Sequence, residues 1–279
     1  MKSLSQDQIS ELEAVAVKMR RQIVDMYTLA GGGHFGGSLS VVEILVTLYG
    51  AVVCVDPADP EWSDRDRVVL SKGHACGALC PVLAHHGFFD EALLDTFNKL
   101  DSPFGMHPDM HKIPGCDMST GSLGHGLAVG IGMALAGRAD EKDYRVYVVL
   151  GDGECQEGAV WEAASVASHL GLDNLTAIVD RNRVSLDGGT EEINALEPFT
   201  DRWLSFGWNV IEVDGHDVAE IYEGIQKAHG TRGIPTVILA NTVKGKGVSF
   251  MEGKYQYHYA SLSPQELEIA RSEIGSRER

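Results

Sequence analysis

The stretch YRVYVVLGDGECQEGAVWEA, residues 144–163, makes two demands on the chain at once. Residues 144–150 are apolar and rich in β-branched side chains, the composition of a buried strand. Asp152 then stands between Gly151 and Gly153, and acidic Glu154 and Glu157 follow before a helical pattern begins. Read alone, Gly-Asp-Gly is an ordinary tight turn. A carboxylate placed at the end of a buried strand acquires a second meaning only if something nearby uses it.

Working outward, a helix at 158–170 and a strand at 175–179 complete a β-α-β unit. A strand near 208–213, a helix at 217–229 and a strand at 235–240 repeat the alternation. Upstream, Ile9, Leu12, Val15, Met19, Ile23 and Met26 predict an amphipathic helix over 6–29. AGGGHFGGSLS (30–40) reads as a loop with five glycines, and Ser40-Val-Val-Glu43 as a capping box opening the next helix. Residues 67–70 predict a short strand, and 71–87 a helix broken or kinked at Pro81. Residues 101–126 are loop-like, too long for an idle connection, and lead into a helix near 127–138. The alternation predicts an α/β fold: a three-layer, doubly wound, mostly parallel sheet with helices on both faces. No repeat or linker divides the chain, so residues 1–279 are expected to form a single domain.

Composition narrows the function. Lys and Arg total 23 against 40 Asp and Glu, a net charge of -17, which disfavours nucleic acid and anionic membrane surfaces as partners. An anionic ligand therefore needs a local cation or oriented backbone N–H groups. The five cysteines form no C-x-x-C pair or zinc-ligand spacing and read as reduced thiols. No apolar run approaches a membrane span, and a soluble cytoplasmic protein is expected.

In open α/β sheets, ligands bind outside the carboxyl ends of the strands. LGDGE (150–154) and VDRNRVSLDG (179–188) are two such ends, and a right-handed crossover points both to one edge. Asp152 and Asn182 are then expected to converge as oxygen ligands suited to Mg²⁺ or Ca²⁺, with glycine on each side of Asp152 admitting a phosphate. This pairing raises Gly-Asp-Gly above a turn.

GDGECQEGAVWEA (151–163), followed by NLTAIVDRNRVSLDG (174–188), resembles the thiamine-diphosphate motif and, more closely, the transketolase family. The resemblance implies that Asp152, Asn182 and the backbone carbonyl of Val184 hold Mg²⁺, with Ca²⁺ or Mn²⁺ as alternatives, bridging to thiamine diphosphate flanked by Gly151 and Gly153. The family often shows two consecutive asparagines; Arg181 precedes Asn182 here, a departure read as minor. Three glycine-rich or Pro-flanked segments match family loops: GGGHFGGSLS carrying His34, LSKGHACGAL carrying His74, and FGMHPD carrying His107. DMSTGSLGHGLAVGIGMA matches a further segment, implying cofactor contacts at Gly121 and Leu123, with Ser122 and His125 departing from the usual residues. NTVKGKGVSFMEGKYQYHYAS leads to His258, followed by Tyr259 where the family has glycine. By resemblance His34, His74, His107 and His258 act on sugar hydroxyls, the carbonyl and protons, His74 also contacts the cofactor, and Glu157 joins a network at a subunit interface. His85, His86, His111, His169, His216 and His229 lack such contexts and read as surface or satisfied core groups.

The resemblance spans about residues 10–260 but only the first part of a transketolase. It implies a split enzyme: an N-terminal thiamine-diphosphate-binding subunit completed by a C-terminal subunit bearing the pyrimidine-binding and third domains, two copies of each chain. The expected reaction is transfer of a two-carbon ketol unit from a ketose or its phosphate to an aldose, in carbohydrate metabolism. Alternatives are a subunit that uses a branched or sulfonated sugar, a 2-oxo acid decarboxylase or dehydrogenase component, or a non-catalytic cofactor-binding subunit. A nicotinamide enzyme is weaker, since 121–126 reads G-x-x-G-x-G.

Overall fold

The apolar strand run and its repeats assemble into one sheet. In a computed structural model, which describes residues 3–276, the strands are β1 (Arg67–Leu70), β2 (Val146–Gly151), β3 (Leu175–Arg181), β4 (Asn209–Asp214) and β5 (Thr236–Asn241). They lie in the order β1-β2-β3-β5-β4, and every neighbouring pair is parallel. Helices α1 (Gln6–Leu29), α2 (Phe35–Ser40), α3 (Val42–Thr47) and α4 (Cys76–His85) precede α5 (Gly126–Ala139) and α6 (Gly158–His169). They are followed by α7 (Thr190–Ile193), α8 (Phe199–Ser205), α9 (Val218–Gly230) and α10 (Pro264–Ser276).

The period of two along each strand sorts the core into two layers. Tyr147 and Val149 of β2 join α1, α3, α4 and α9 on one face, while Val146, Val148 and Leu150 join α5, α6 and α8 on the other. The second layer is anchored by aromatics: Trp203 stacks 5.0 Å from Trp161 and 5.1 Å from Trp208. The Trp208 indole N–H donates to the carbonyl of Ala164 at 2.9 Å, which satisfies its one polar atom inside the core. Among the described residues no helix is long and apolar enough to cross a membrane.

Three local expectations are corrected. Ser40 caps nothing: α3 starts after Val41 without a side-chain cap, because the Ser40 hydroxyl donates to Asp180 at 2.6 Å. Capping boxes form instead at the head of α1, Ser5 with Gln8, and at the head of α10, Ser263 with Glu266. Half of the expected glycine loop is helical, as α2. Its residues are all buried, and a helical turn satisfies backbone groups that water cannot reach. Finally, α4 runs through Pro81 unbroken, since nine of its ten residues are buried and that packing outweighs one missing backbone bond.

Between the short 3-10 turn at Glu91–Thr96 and α5 the chain has neither helix nor strand. Asp117 pins this connection to the sheet, accepting from the Val68 N–H at 2.7 Å and from Arg65 at 2.5 Å.

Helix α5 approaches the sheet through Gly130, where an added Cβ would stand 2.4 Å from Val148 Cγ2, whereas at Gly132 it would meet nothing within 4 Å. Gly130→Val is therefore expected to destabilise the fold by about 1–3 kcal/mol through overpacking. Gly132→Ala in the same helix should stabilise it by roughly 0.5–1 kcal/mol. Urea denaturation of the two variants checks this, and equal effects would contradict the packing account.

Candidate functional site

Because β2 and β3 are adjacent and parallel, Gly151 pairs with Asp180 and both chains leave the sheet at one edge. Asp152 follows at once and is 2% exposed. Its Oδ1 accepts the Gly153 N–H at 2.7 Å, and its Oδ2 accepts the Arg183 N–H at 2.5 Å and the Arg181 guanidinium at 3.2 Å. Arg183 sits in the left-handed region at φ 62°, a turn that aims its N–H back at Asp152. Asn182 Oδ1 accepts the Val184 N–H at 3.1 Å, and its amide nitrogen donates to Asp180 at 3.1 Å. The Val184 carbonyl accepts from the Lys244 ammonium at 2.9 Å.

Asp152, Asn182 and Val184 thus line one cavity of about 140 Å³, and the convergence of Asp152 with Asn182 is the one expected from the crossover. Burial first, then the nearby charge of Asp180, push the Asp152 carboxyl up, so the site favours added positive charge. The donors are one carboxylate, one amide oxygen and one backbone carbonyl that already attracts an ammonium, a set that fits a hard divalent cation sharing its shell with phosphate oxygens. Among the described residues no three His, Cys, Asp or Glu side chains gather as a metal site. A cation here depends on the mixed oxygen set.

The four singled-out histidines come together from four segments of chain. The His34 ring lies 5.5 Å from His74, 5.9 Å from His107 and 5.6 Å from His258, and His74 lies 5.0 Å from His258. Burial, with His107 and Lys244 nearby, lowers His34 to about 4, and burial with Lys244 and His34 lowers His258 to about 3. Burial and then Lys72 hold His74 well below its usual value, and burial alone lowers His107. All four imidazoles are therefore neutral near pH 7. Lys244 Nζ lies 3.0 Å from His258 Nδ1. An ammonium only donates, so that nitrogen accepts and the His258 Nε2 carries the proton. The His34 Nδ1 is buried with no hydrogen-bond partner, a polar atom left for a ligand.

Leu123 lines the cavity with Gly151 and Gly153, and Gly121 lies against His107, where a Cβ would stand 3.2 Å from the ring. Glu157 stands exposed at the N-cap position of α6, makes no side-chain capping bond and does not line the cavity. Ser122 and His125 are exposed, and Tyr259 sets its ring 5.0 Å from His34. Of the remaining histidines, His216 is the most engaged, held 3.0 Å from Glu43 and accepting the Val243 N–H at 2.8 Å.

The buried contacts of four charged residues were not foreseen from sequence. Lys72 and Lys244 line the cavity, each nearly sealed from solvent. Lys72 donates to Asp180 and to the Gly37 carbonyl at 2.9 Å. Burial, then Lys72, lower Lys244 to about 8. Glu154 is 2% exposed. It accepts the N–H groups of Gly124 and Gly151, each at 3.0 Å, and the Ser71 hydroxyl, tying the 121–126 segment to the end of β2. The fourth, Arg181, reaches Asp152 from the end of β3. Each lysine follows a predicted strand end within a few residues, the one signal that marked them.

The family described as "Transketolase, thiamine diphosphate binding domain" matches residues 12–279. A 6-deoxy-6-sulfo-D-fructose transketolase subunit of Clostridium sp. is 44% identical over 97% of this chain and 98% of its own. A subunit of the apulose-4-phosphate transketolase of Phocaeicola vulgatus is 40% identical, over 97% and 96% respectively. Human transketolase is 38% identical over 98% of this chain and 43% of its own. A Pichia stipitis transketolase solved with sedoheptulose 7-phosphate superimposes with a TM-score of 0.90 at 33% identity, covering 95% of this chain. The chain spans only 41% of that longer protein's length.

The depressed imidazoles have a consequence for acid stability. Folded values of about 4 and 3 lie below the usual 6.5, so between these limits the unfolded chain binds protons that folded His34 and His258 refuse. Their contribution is complete above pH 6.5 and is lost as pH falls toward the folded values. The His34→Asn/His258→Asn variant should lose less stability between pH 7 and 4.5 than the parent, by on the order of 2 kcal/mol after allowing for solvent screening. Urea denaturation at both pH values measures the difference, and identical losses would contradict the neutral assignment.

Proposed function

The chain belongs to the transketolase family, and on that premise we propose that it is the diphosphate-binding subunit of a two-chain, thiamine-diphosphate-dependent enzyme that transfers a two-carbon ketol unit from a ketose to an aldose. One observation carries this reading: an oxygen-donor pocket and four neutral imidazoles meet at one edge of the parallel sheet. Thiamine diphosphate, when bound, supplies the carbanion that makes and breaks the carbon–carbon bond. Asp152, Asn182 and the Val184 carbonyl would hold Mg²⁺ beside its diphosphate. Gly121, Leu123, Gly151 and Gly153 would let the cofactor approach closely, and His74 would contact it. Lys72 and Lys244 place positive charge at the same cavity. His34, His107 and His258 would donate N–H groups to sugar hydroxyls and the carbonyl oxygen and move protons between them, as neutral imidazoles near pH 7 are able to do.

The relatives support a split organisation. Those matched over nearly their whole length are named as subunits, whereas human transketolase is matched over 43% of its length. A separate partner chain would then supply the pyrimidine-binding and third domains, in an assembly of two copies of each, with Glu157 near an interface. An ordinary ketose phosphate stood first among the substrates expected from sequence. The named substrates of the near-full-length relatives favour the alternative, a sulfonated or branched ketose, and that class is the one proposed here.

The chain co-expressed with its partner should turn over 6-sulfo and branched ketose donors with a higher kcat/KM than xylulose 5-phosphate. The chain alone should give no turnover. Asp152→Ala should weaken Mg²⁺-dependent cofactor binding on the order of 100-fold or more. Turnover without the partner would overturn the split reading, a preference for xylulose 5-phosphate the substrate class, and undiminished cofactor binding the metal assignment.

A further inference from the structure

Arg181 occupies the position where the family pattern often has asparagine, and its side chain does more than fill space. The guanidinium is almost wholly buried, 3% exposed, and reaches the Asp152 carboxylate at 3.2 Å. The same Nη1 donates to the Thr190 hydroxyl at 3.0 Å. Nη2 donates to Glu197 at 2.7 Å and to Glu191 at 3.4 Å, and the group lies 5.1 Å over the Phe199 ring. These partners fix it from α7, α8 and the turn between them, so it cannot swing away cheaply. The departure thus sets a buried positive charge against Asp152.

We propose that Arg181 is a positioning residue that makes the divalent cation and the diphosphate bind as a pair. The inference rests on the reading of Asp152 as a metal ligand. A fixed positive charge on Asp152 does the work of a cation while the pocket is empty and repels a divalent ion arriving alone. It attracts the diphosphate, whose negative charge then outweighs the repulsion and lets the cation enter. Asp152 is the only carboxylate in the oxygen set, so the charge that Arg181 offsets is the one the cation depends on. The arrangement keeps the site from filling with whatever divalent ion is most abundant. Glu191 and Glu197, at the outer edge, partly offset the guanidinium and set the strength of the effect.

The test uses the full chain with Mn²⁺ as the probe, free ion being counted by electron paramagnetic resonance with and without thiamine diphosphate. In the parent, Mn²⁺ should bind weakly alone and tighter with the cofactor. Arg181→Gln and Arg181→Met should bind Mn²⁺ alone about tenfold tighter, and the gain from adding cofactor should shrink by a similar factor. Arg181→Lys, which keeps the charge, should stay near the parent. Glu197→Gln, at an exposed site, should loosen Mn²⁺ binding about threefold by leaving the guanidinium less compensated. A role in holding the loop alone predicts the opposite for the neutral variants, weaker Mn²⁺ binding with and without cofactor. That result, or unchanged affinity, overturns the proposal; were both neutral variants unfolded, unchanged or tighter Mn²⁺ binding by Glu197→Gln would overturn it. Parent chain that binds no Mn²⁺ even with cofactor would overturn the metal assignment, and this inference with it.

Discussion

One buried carboxylate holds the functional edge of the sheet together. Asp180 is fully buried at the end of β3 and accepts from Ser40 at the end of α2, Lys72 after β1, Thr242 after β5 and Asn182 beside it. Burial pushes its carboxyl up, but Lys72 and the two hydroxyls hold it below the usual range, so it stays charged. Removing one partner of a buried pair of this kind leaves an uncompensated charge and costs about 3–5 kcal/mol. The geometry of the site descends from this group. Asn182 spends its amide nitrogen on Asp180, which turns its oxygen toward Val184 and the cavity.

Net charge and ligand charge look opposed in this chain, since a protein at -17 would hold an anionic cofactor. The opposition disappears at the scale of the site. Lys72, Lys244 and Arg181 converge within or beside one small cavity, all nearly sealed from solvent. Charges on the remaining surface are screened within about 8–10 Å by salt, whereas buried groups are screened far less. Local placement therefore decides what binds, and the acidic total does not.

Much of the fold was legible because strand burial and helix faces leave periodic marks. The predicted strands and helices at 144–179 and 208–240 lie within two residues of β2, α6, β3, β4, α9 and β5. What escaped prediction is what tertiary contact overrides. Ser40 has the capping pattern, but Asp180 claims its hydroxyl across 140 residues of sequence. AGGGHFGGSLS reads as loop from its glycines, yet half of it is buried, and a helical turn satisfies its backbone there. The site was legible where a short motif carried the information, in Gly-Asp-Gly with Asn182 and in the histidine contexts. The buried contacts of Lys72, Lys244, Glu154 and Arg181 were not foreseen because a lone charge in a sequence looks solvated until the fold buries it.

Those missed charges also govern the residues that were found. Lys244 approaches His258 directly and, with burial, keeps it and His34 unprotonated; Lys72 does the same for His74. A neutral imidazole both donates and accepts, which polyol recognition needs, while an imidazolium only donates. The lysines that make the cavity attractive to an anion thus also help burial keep three of the histidines neutral, and Lys244 sets the tautomer of His258.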